Sequence, residues 1–227
     1  MYKVTRVLDL HDPDDELTTA MAVKRLRSAA DASPAIATLV APTLPGVRNG
    51  GDLLVHLQFR EHDDWLRSRS AIDEATSDSS ARSLRSVEYI GATGDRAGRR
   101  SWSPQVYRTL LLNVEDSASP EQLHHFERAT LAMPQHIQAI GAWQLSRVVH
   151  VEGGSRYTHV WEQEFSDLAD LHCAYMFHPI HWGLVDRWFD PECPDQIIAD
   201  RVCHSFCAST APLIDAVEAT NPHARAR

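Results

Sequence analysis

The densest run of chemically capable side chains in this sequence is Tyr175-Met-Phe-His178-Pro179-Ile180-His181, preceded along the chain by Tyr157-Thr158-His159-Val160. An unperturbed histidine has a pKa of about 6.5, which suits proton transfer at neutral pH, and a buried phenol can donate to a developing enolate oxygen. The same residues also admit an architectural reading. His-Pro-x-His can turn a helix, with His178 capping carbonyls at the break and His181 bonded to a neighbour in the core; Tyr175 stands where an apolar helix residue is expected. Trp143, Trp161, Trp182 and Trp188 can supply a flat apolar cavity for an aromatic ligand, or they can simply pack. Cys203-His204-x-x-Cys207 has the look of a metal-binding fragment. Read as a strand, however, it turns both cysteines to one face and His204 to the other, so no metal is expected there.

The elements that must position these residues come as a faint internal repeat. Val4–Leu10 resembles Val106–Leu112 at an offset of 102 residues, which matches Arg6 with Arg108, and 52–59 parallels 158–165 at an offset of 106. Each half reads strand, helix, strand, strand, helix, strand. Gly91 to Pro104 is rich in Gly and Arg without an apolar period and reads as a linker. In the second half, Ser119-Pro120-Glu121-Gln122 opens a helix with an N-cap, a proline at the first position and a capping box, after which Leu123, Phe126, Thr130 and Met133 face inward. Residues 142–149 and 157–165 read as a hairpin, with His159, Trp161 and Gln163 on one face and Glu162 and Glu164 on the other. A further helix starts near Ser166 and breaks at Pro179, and His181, Leu184, Val185 and Trp188 then share a face.

A β-α-β-β-α-β unit is the ferredoxin-like plan, which leaves one sheet face bare. The expected fold is therefore α+β: two tandem ferredoxin-like halves whose bare faces meet in an intrachain pseudo-dimeric α/β barrel. The expected divisions are residues 1–92, a linker at 93–104, a second domain at 105–210 and a tail at 211–227. Alternation turns Asp9, His11, His56, Gln58, Asn113, Glu162 and Glu164 away from the helices, where the halves would meet. Buried carboxylates need partners, either the histidines or a bound divalent ion.

About residues 104 to 208 resemble the Dabb family, the stress-responsive dimeric α/β-barrel domain, whose mark is a helix carrying Tyr-x-x-His-Pro-x-His after a strand ending in Glu-x-x-Phe. Within that family the second half is similar to the plant enzymes of the olivetolic acid cyclase type. The resemblance implies a cofactor-independent cyclase, lyase or isomerase acting on a hydrophobic, aromatic or polyketide-like substrate, with no metal or organic cofactor. It implies His181 as general base and Tyr175 as the group that positions or polarises the substrate. Where those cyclases have a first-strand histidine this chain has Arg108, which cannot act as a base but can bind a carboxylate or steady an enolate. His159, Trp161, His178, Trp182 and Trp188 are the candidate substrate-binding residues, His159 through shaping the pocket or orienting Tyr175. The first half has Arg69, Ile72 and Ala75 at the positions of Tyr175, His178 and His181, so one pocket is expected, with the first half as a degenerate, built-in partner. Two alternatives stand beside this reading: a non-catalytic small-ligand binding or stress-response protein, and a haem-binding member, since the wider superfamily includes haem proteins with a helix histidine as axial ligand.

Charge and composition narrow the partners. With 22 Lys+Arg against 31 Asp+Glu the formal charge is −9, a field that repels nucleic acid and anionic lipid. No apolar run reaches the length of a membrane span, and the start MYKVTRVLDLHDPDDE turns acidic where a signal peptide would be apolar. The sequence therefore reads as cytoplasmic, with a hydrophobic small molecule as partner and Cys173, Cys193, Cys203 and Cys207 as reduced thiols. A further homodimer of the tandem chain stays open.

Overall fold

The computed structural model describes residues 1–91, 93–96, 103–153, 156–199 and 201–214, and for 93–96 the backbone alone. The first half runs β1 (Tyr2–Leu10), α1 (Glu16–Asp31), β2 (Ala37–Pro42), β3 (Leu53–Phe59), α2 (His62–Ser77) and β4 (Ala81–Ile90). A short strand β5 (Thr93–Arg96) lies within the segment expected as a linker; residues 97–102 of that segment, and 215–227 of the expected tail, lie outside the described residues. The second half runs β6 (Val106–Leu112), α3 (Pro120–His136), β7 (Ile140–Glu152), β8 (His159–Phe165) and β9 (Cys203–Ala208). Between β8 and β9 the expected helix is present as three short pieces: π-helical turns at Asp170–Tyr175 and His181–Val185, then a 3-10 turn at Asp186–Trp188.

Local chemistry sets these elements. At the start of α3 the Ser119 side chain accepts from Gln122 N while the Gln122 side chain accepts from Ser119 N, and Pro120 occupies the first turn. Phe126, Ala129, Thr130 and Met133 form the buried stripe that follows. In the sheet, β3, β6 and β8 are buried at every position. A strand with one wet face would alternate, so both of their faces must be covered.

The strands run in the order β2-β3-β1-β4-β7-β8-β6-β9, with β5 paired to β7 off that path. Two seams join the halves. At one, Ser86–Tyr89 of β4 pair antiparallel with the end of β7, Ser86 opposite Glu152 and Tyr89 opposite Val148. At the other, bridges Thr43 to Cys207 and Arg48 to His204 link the chain after β2 to β9 and close the ring. The fold is the pseudo-dimeric α/β barrel, with three cores. Leu26, Phe59, Trp65 and Ile72 belong to the core under the first-half helices. Phe126, Trp161, Phe165 and Tyr175 belong to its counterpart in the second half. Val7, Leu54, Tyr89, Tyr107, Val160, Cys203 and Cys207 fill the barrel interior.

The interior also holds the expected polar group, with corrections. His56, Gln58, Glu162 and Glu164 are fully buried. Asp9 instead sits at the rim, 3.0 Å from Arg85, His11 is exposed and Asn113 half-buried, because the last two lie past the strand ends, where alternation stops. The partner of Glu162 is not a histidine or a metal ion but buried Lys3 from the other half, whose Nζ lies 3.0 Å from Oε2. Tyr107 Oη donates to Glu162 Oε1 at 2.8 Å. His56 Nε2 is 3.7 Å from the same oxygen, but burial, and then the charge of Lys3, push its pKa well below the usual value, so it stays neutral and forms no true ion pair. The C-terminal segment closes the interior: Leu213 and Ile214 are buried, and Ile214 N donates to Glu164 Oε1 at 3.2 Å.

The pairing register also revises the repeat. Phe59 lies opposite Tyr2 and Phe165 opposite Val106. If the two phenylalanines correspond, Arg6 is the counterpart of Leu110, and Arg108 that of Val4. The shift of two residues keeps both arginines on the helix side of their sheets.

Candidate functional site

Arg108 comes from the middle of β6, across from Gln163 on β8 and Phe206 on β9. It is 3% exposed, and each of its bonded nitrogens meets a neutral acceptor. Nε donates to His204 Nε2 at 2.7 Å, and Nη1 donates to Gln163 Oε1 and, at 3.3 Å, to Tyr175 Oη. Its Cζ stands 5.0 Å from the Tyr175 ring centroid, a cation–π arrangement. Among the described residues no carboxylate pairs with this buried guanidinium. Since isolated buried charge is costly, its solvation must come from these dipoles and from whatever fills the adjoining space.

Tyr175 and His181 reach the same place from either side of the Pro179 break. The Asp170–Tyr175 segment is widened by a five-residue hydrogen bond, Met176 N to Leu171 O at 3.3 Å, and such π turns recur where a side chain must be re-aimed. His178 Nδ1 accepts from Ile180 N at 3.2 Å, so this histidine caps the start of the next turn through an amide rather than through carbonyls. The ring of His181 then meets that of Tyr175 edge-on, with centroids 5.0 Å apart and planes at 81°. Asp186 Oδ1 lies 3.1 Å from His181 Nδ1; the contact is within ion-pair range but off the hydrogen-bond axis, so Nδ1 has no aligned partner.

These side chains border a cavity of about 200 Å³ between the sheet and the helical turns, lined by Arg48, Arg108, Leu110, Met133, Trp161, Tyr175, His181, Phe189 and His204 among others. The lining is mostly apolar and carries two arginines, Arg48 and Arg108. His204 does not add charge: burial, then the neighbouring Arg108 and Arg48, hold its pKa down at about 2, so its Nε2 serves as the acceptor for Arg108.

The region that carries this cavity is what the comparisons identify. Residues 106–203 match the domain family described as Stress responsive A/B Barrel Domain, Dabb. The second half matches the Dabb family. The match covers less than half of the chain, and residues 1–105 lie outside it. Solved structures extend the likeness to both halves. A protein described as anthrone oxidase-like is 12% identical over 95% of each chain, with a TM-score of 0.64. A putative monooxygenase from Fusobacterium nucleatum is 8% identical over 93% of this chain and 95% of that one, TM-score 0.56. Another, from Lactobacillus acidophilus, is 10% identical over 94% and 98%, TM-score 0.53. At such identities the likeness is one of fold. No curated protein matches the chain in sequence.

Of the residues singled out in the Dabb half, the structure brings His181, Tyr175, Arg108 and Trp161 together around the cavity. It places the others elsewhere. His159 is buried against α3, Nε2 3.2 Å from Glu127 Oε1 and edge-on to Phe126, away from the cavity. Burial lowers its pKa and Glu127 opposes that shift. Trp182 is 58% exposed, since it follows His181 on the outer side of the turn. Trp188 is buried but packs on Phe126. His204, Asp186 and Arg48 are cavity residues that the motif did not indicate, and Gln163 stands behind Arg108 as its acceptor. His204 was legible only as the strand position facing away from Cys203 and Cys207, and Arg48 had no local signal at all.

Metal and haem can be judged from the side chains present. Cys203 and Cys207 face the barrel interior, where burial pushes both thiols up to about 12, while His204 faces the cavity, so the three cannot share an ion. Among the described residues Glu88, His150 and Glu152 have ligand atoms within 4.8 Å of one another, but Arg69 already lies against both carboxylates. At about 200 Å³ the cavity has room for a single small ring system and not for a porphyrin.

In the first half Arg6 has a different fate. It is fully buried, rests over Trp65 at 5.2 Å and donates to Thr76 Oγ1 at 3.1 Å and to the Asp73 carboxylate. Its charge is met within the chain.

Proposed function

We propose that the protein is a cofactor-independent enzyme of the cyclase, lyase or isomerase type that moves a proton on a small, hydrophobic, aromatic or polyketide-like substrate bound in the Dabb-half cavity. One observation carries this reading: an arginine that is buried without a carboxylate partner among the described residues, a tyrosine hydroxyl and a histidine all border one largely apolar cavity. His181 is the base. The negative charge of Asp186, 3.1 Å from Nδ1 though off its hydrogen-bond axis, favours a proton on that nitrogen and leaves Nε2 to accept one from substrate carbon. Tyr175 and Arg108 stabilise the oxyanion that forms as the proton leaves, and they are fixed beforehand by Gln163 and His204, so little reorganisation accompanies the step. The apolar wall of Trp161, Leu110 and Met133 holds the substrate body and excludes water, which strengthens each of these electrostatic contacts.

Deuterium uptake into the methyl group of acetophenone in D₂O, followed by NMR, tests the chemistry. The native protein accelerates uptake, and His181→Gln loses about 100-fold of that rate, the usual contribution of a general base, while acetophenone still quenches Trp161 fluorescence. Binding without any accelerated uptake in the native protein would instead mark a non-catalytic ligand-binding protein.

A further inference from the structure

The Dabb half does not complete its own cavity. Arg48, from the loop between β2 and β3 of the first half, is one of the lining residues and stands at the exposed rim. The loop is pinned to β9: Leu44 N donates to Phe206 O at 3.0 Å, Arg48 N to His204 O at 3.0 Å and His204 N to Arg48 O at 2.9 Å. Ser205 Oγ donates to Gly50 O at 2.8 Å. A Cβ at position 50 would fall 2.3 Å from His204 O, so only glycine allows this approach. The backbone of Arg48 is thus held as firmly as a strand while its side chain stays free. Among the described residues Arg48 has no carboxylate partner, and its charge, with that of Arg108, is felt at His204 between them. Against these two cations the cavity lining offers one carboxylate, Asp186, which is already beside His181.

Two arginines from opposite halves, both lining one small cavity and both close enough to His204 for their charge to act on it, match a planar carboxylate on an aromatic body. We infer that the substrate is a carboxylate-bearing aromatic or polyketide-like acid, clasped by Arg108 from the Dabb half and Arg48 from the first half. The first half therefore sets the charge class of the substrate for a site in the second. This inference rests on reading the cavity as the substrate site, and its test is independent of proton transfer.

The test is calorimetric titration of the full chain with benzoate and with benzamide, its neutral counterpart of nearly equal shape. The native protein binds benzoate at least about tenfold more tightly than benzamide, and the preference shrinks as NaCl rises. In Arg48→Met the benzoate affinity falls about tenfold while the benzamide affinity is unchanged, and Arg48→Lys recovers part of the loss. Because Arg48 is exposed, these variants keep the fold. Equal affinity for the two probes in the native protein, failure of benzoate to bind at millimolar concentration, or an Arg48→Met variant that loses both probes alike or neither, would overturn the inference. His181→Gln separates the two ideas: it leaves the benzoate preference intact whether or not His181 acts as a base.

Discussion

Arg108 holds Tyr175 twice, donating Nη1 to its hydroxyl at 3.3 Å and lying 5.0 Å from the centroid of its ring. Two groups that would serve one oxyanion are thereby locked to each other before any ligand arrives. Tyr175→Phe keeps the ring and removes only the hydroxyl, so the fold and the ligand affinity should survive. The turnover number for deuterium uptake should fall about 100-fold with KM little changed, as for loss of one oxyanion donor. A raised KM at constant turnover would make Tyr175 a binding residue only.

Lys3 and Glu162 tie the two halves through the barrel interior at 3.0 Å, both nearly excluded from water. Removing one partner leaves an unpaired buried charge, so Lys3→Met should cost about 3–5 kcal/mol in urea unfolding. The double variant Lys3→Met/Glu162→Leu should recover much of that loss, since the desolvation of both ions is relieved together. Additive losses would show that the two residues act independently.

His56 and His204 both have folded-state pKa values held below the ordinary histidine range by burial, that of His204 down to about 2. In the unfolded chain each titrates near about 6.5. Between the two values the unfolded state binds the extra proton, so stability rises with pH there and falls as pH drops below about 6.5. The expected slope is about 1.4 kcal/mol per pH unit for each histidine. His56→Gln should flatten the curve between pH 6.5 and pH 5, and an unchanged slope would contradict the burial described.

The segment at Leu213 and Ile214 seals one end of the barrel, with Leu213 N and Ile214 N both donating to Glu164 Oε1, at 2.5 and 3.2 Å. Ending the chain at Pro212 removes two buried apolar side chains and exposes that carboxylate. The loss should be about 2–4 kcal/mol in chemical denaturation, with benzoate binding at the cavity retained because the cavity lies on the other side of the sheet.

The fold was largely legible because its signals are local. The capping box at Ser119, the hairpin alternation through Trp161 and Glu162, and the proline break at Pro179 each fix an element within a few residues. The candidate site was legible in part for the same reason: Tyr175 and His181 belong to one short motif, and Arg108 to a strand that the repeat exposed. What escaped was set by long-range register. The sequence offset equated Arg6 with Arg108, yet strand pairing displaces them by two residues, and no local pattern shows which pairing wins. Lys3, near the chain start, could not be matched to Glu162 by composition. Arg48 reaches the cavity only because Gly50 lets its loop lie on β9. Trp182 and Trp188 have the composition of a pocket, but the winding of the turns after Pro179 sends one to solvent and the other to α3.

The claim on which the account rests is that one half holds the working pocket and the other does not. The direct test follows the arginine Nε–H signals of the ¹⁵N-labelled full chain by NMR during a benzoate titration. The account predicts that the Arg108 signal, hydrogen-bonded to His204 at 2.7 Å, shifts and saturates while that of Arg6, whose charge Asp73 already meets, stays in place. A saturating shift at Arg6 with Arg108 unmoved would contradict it.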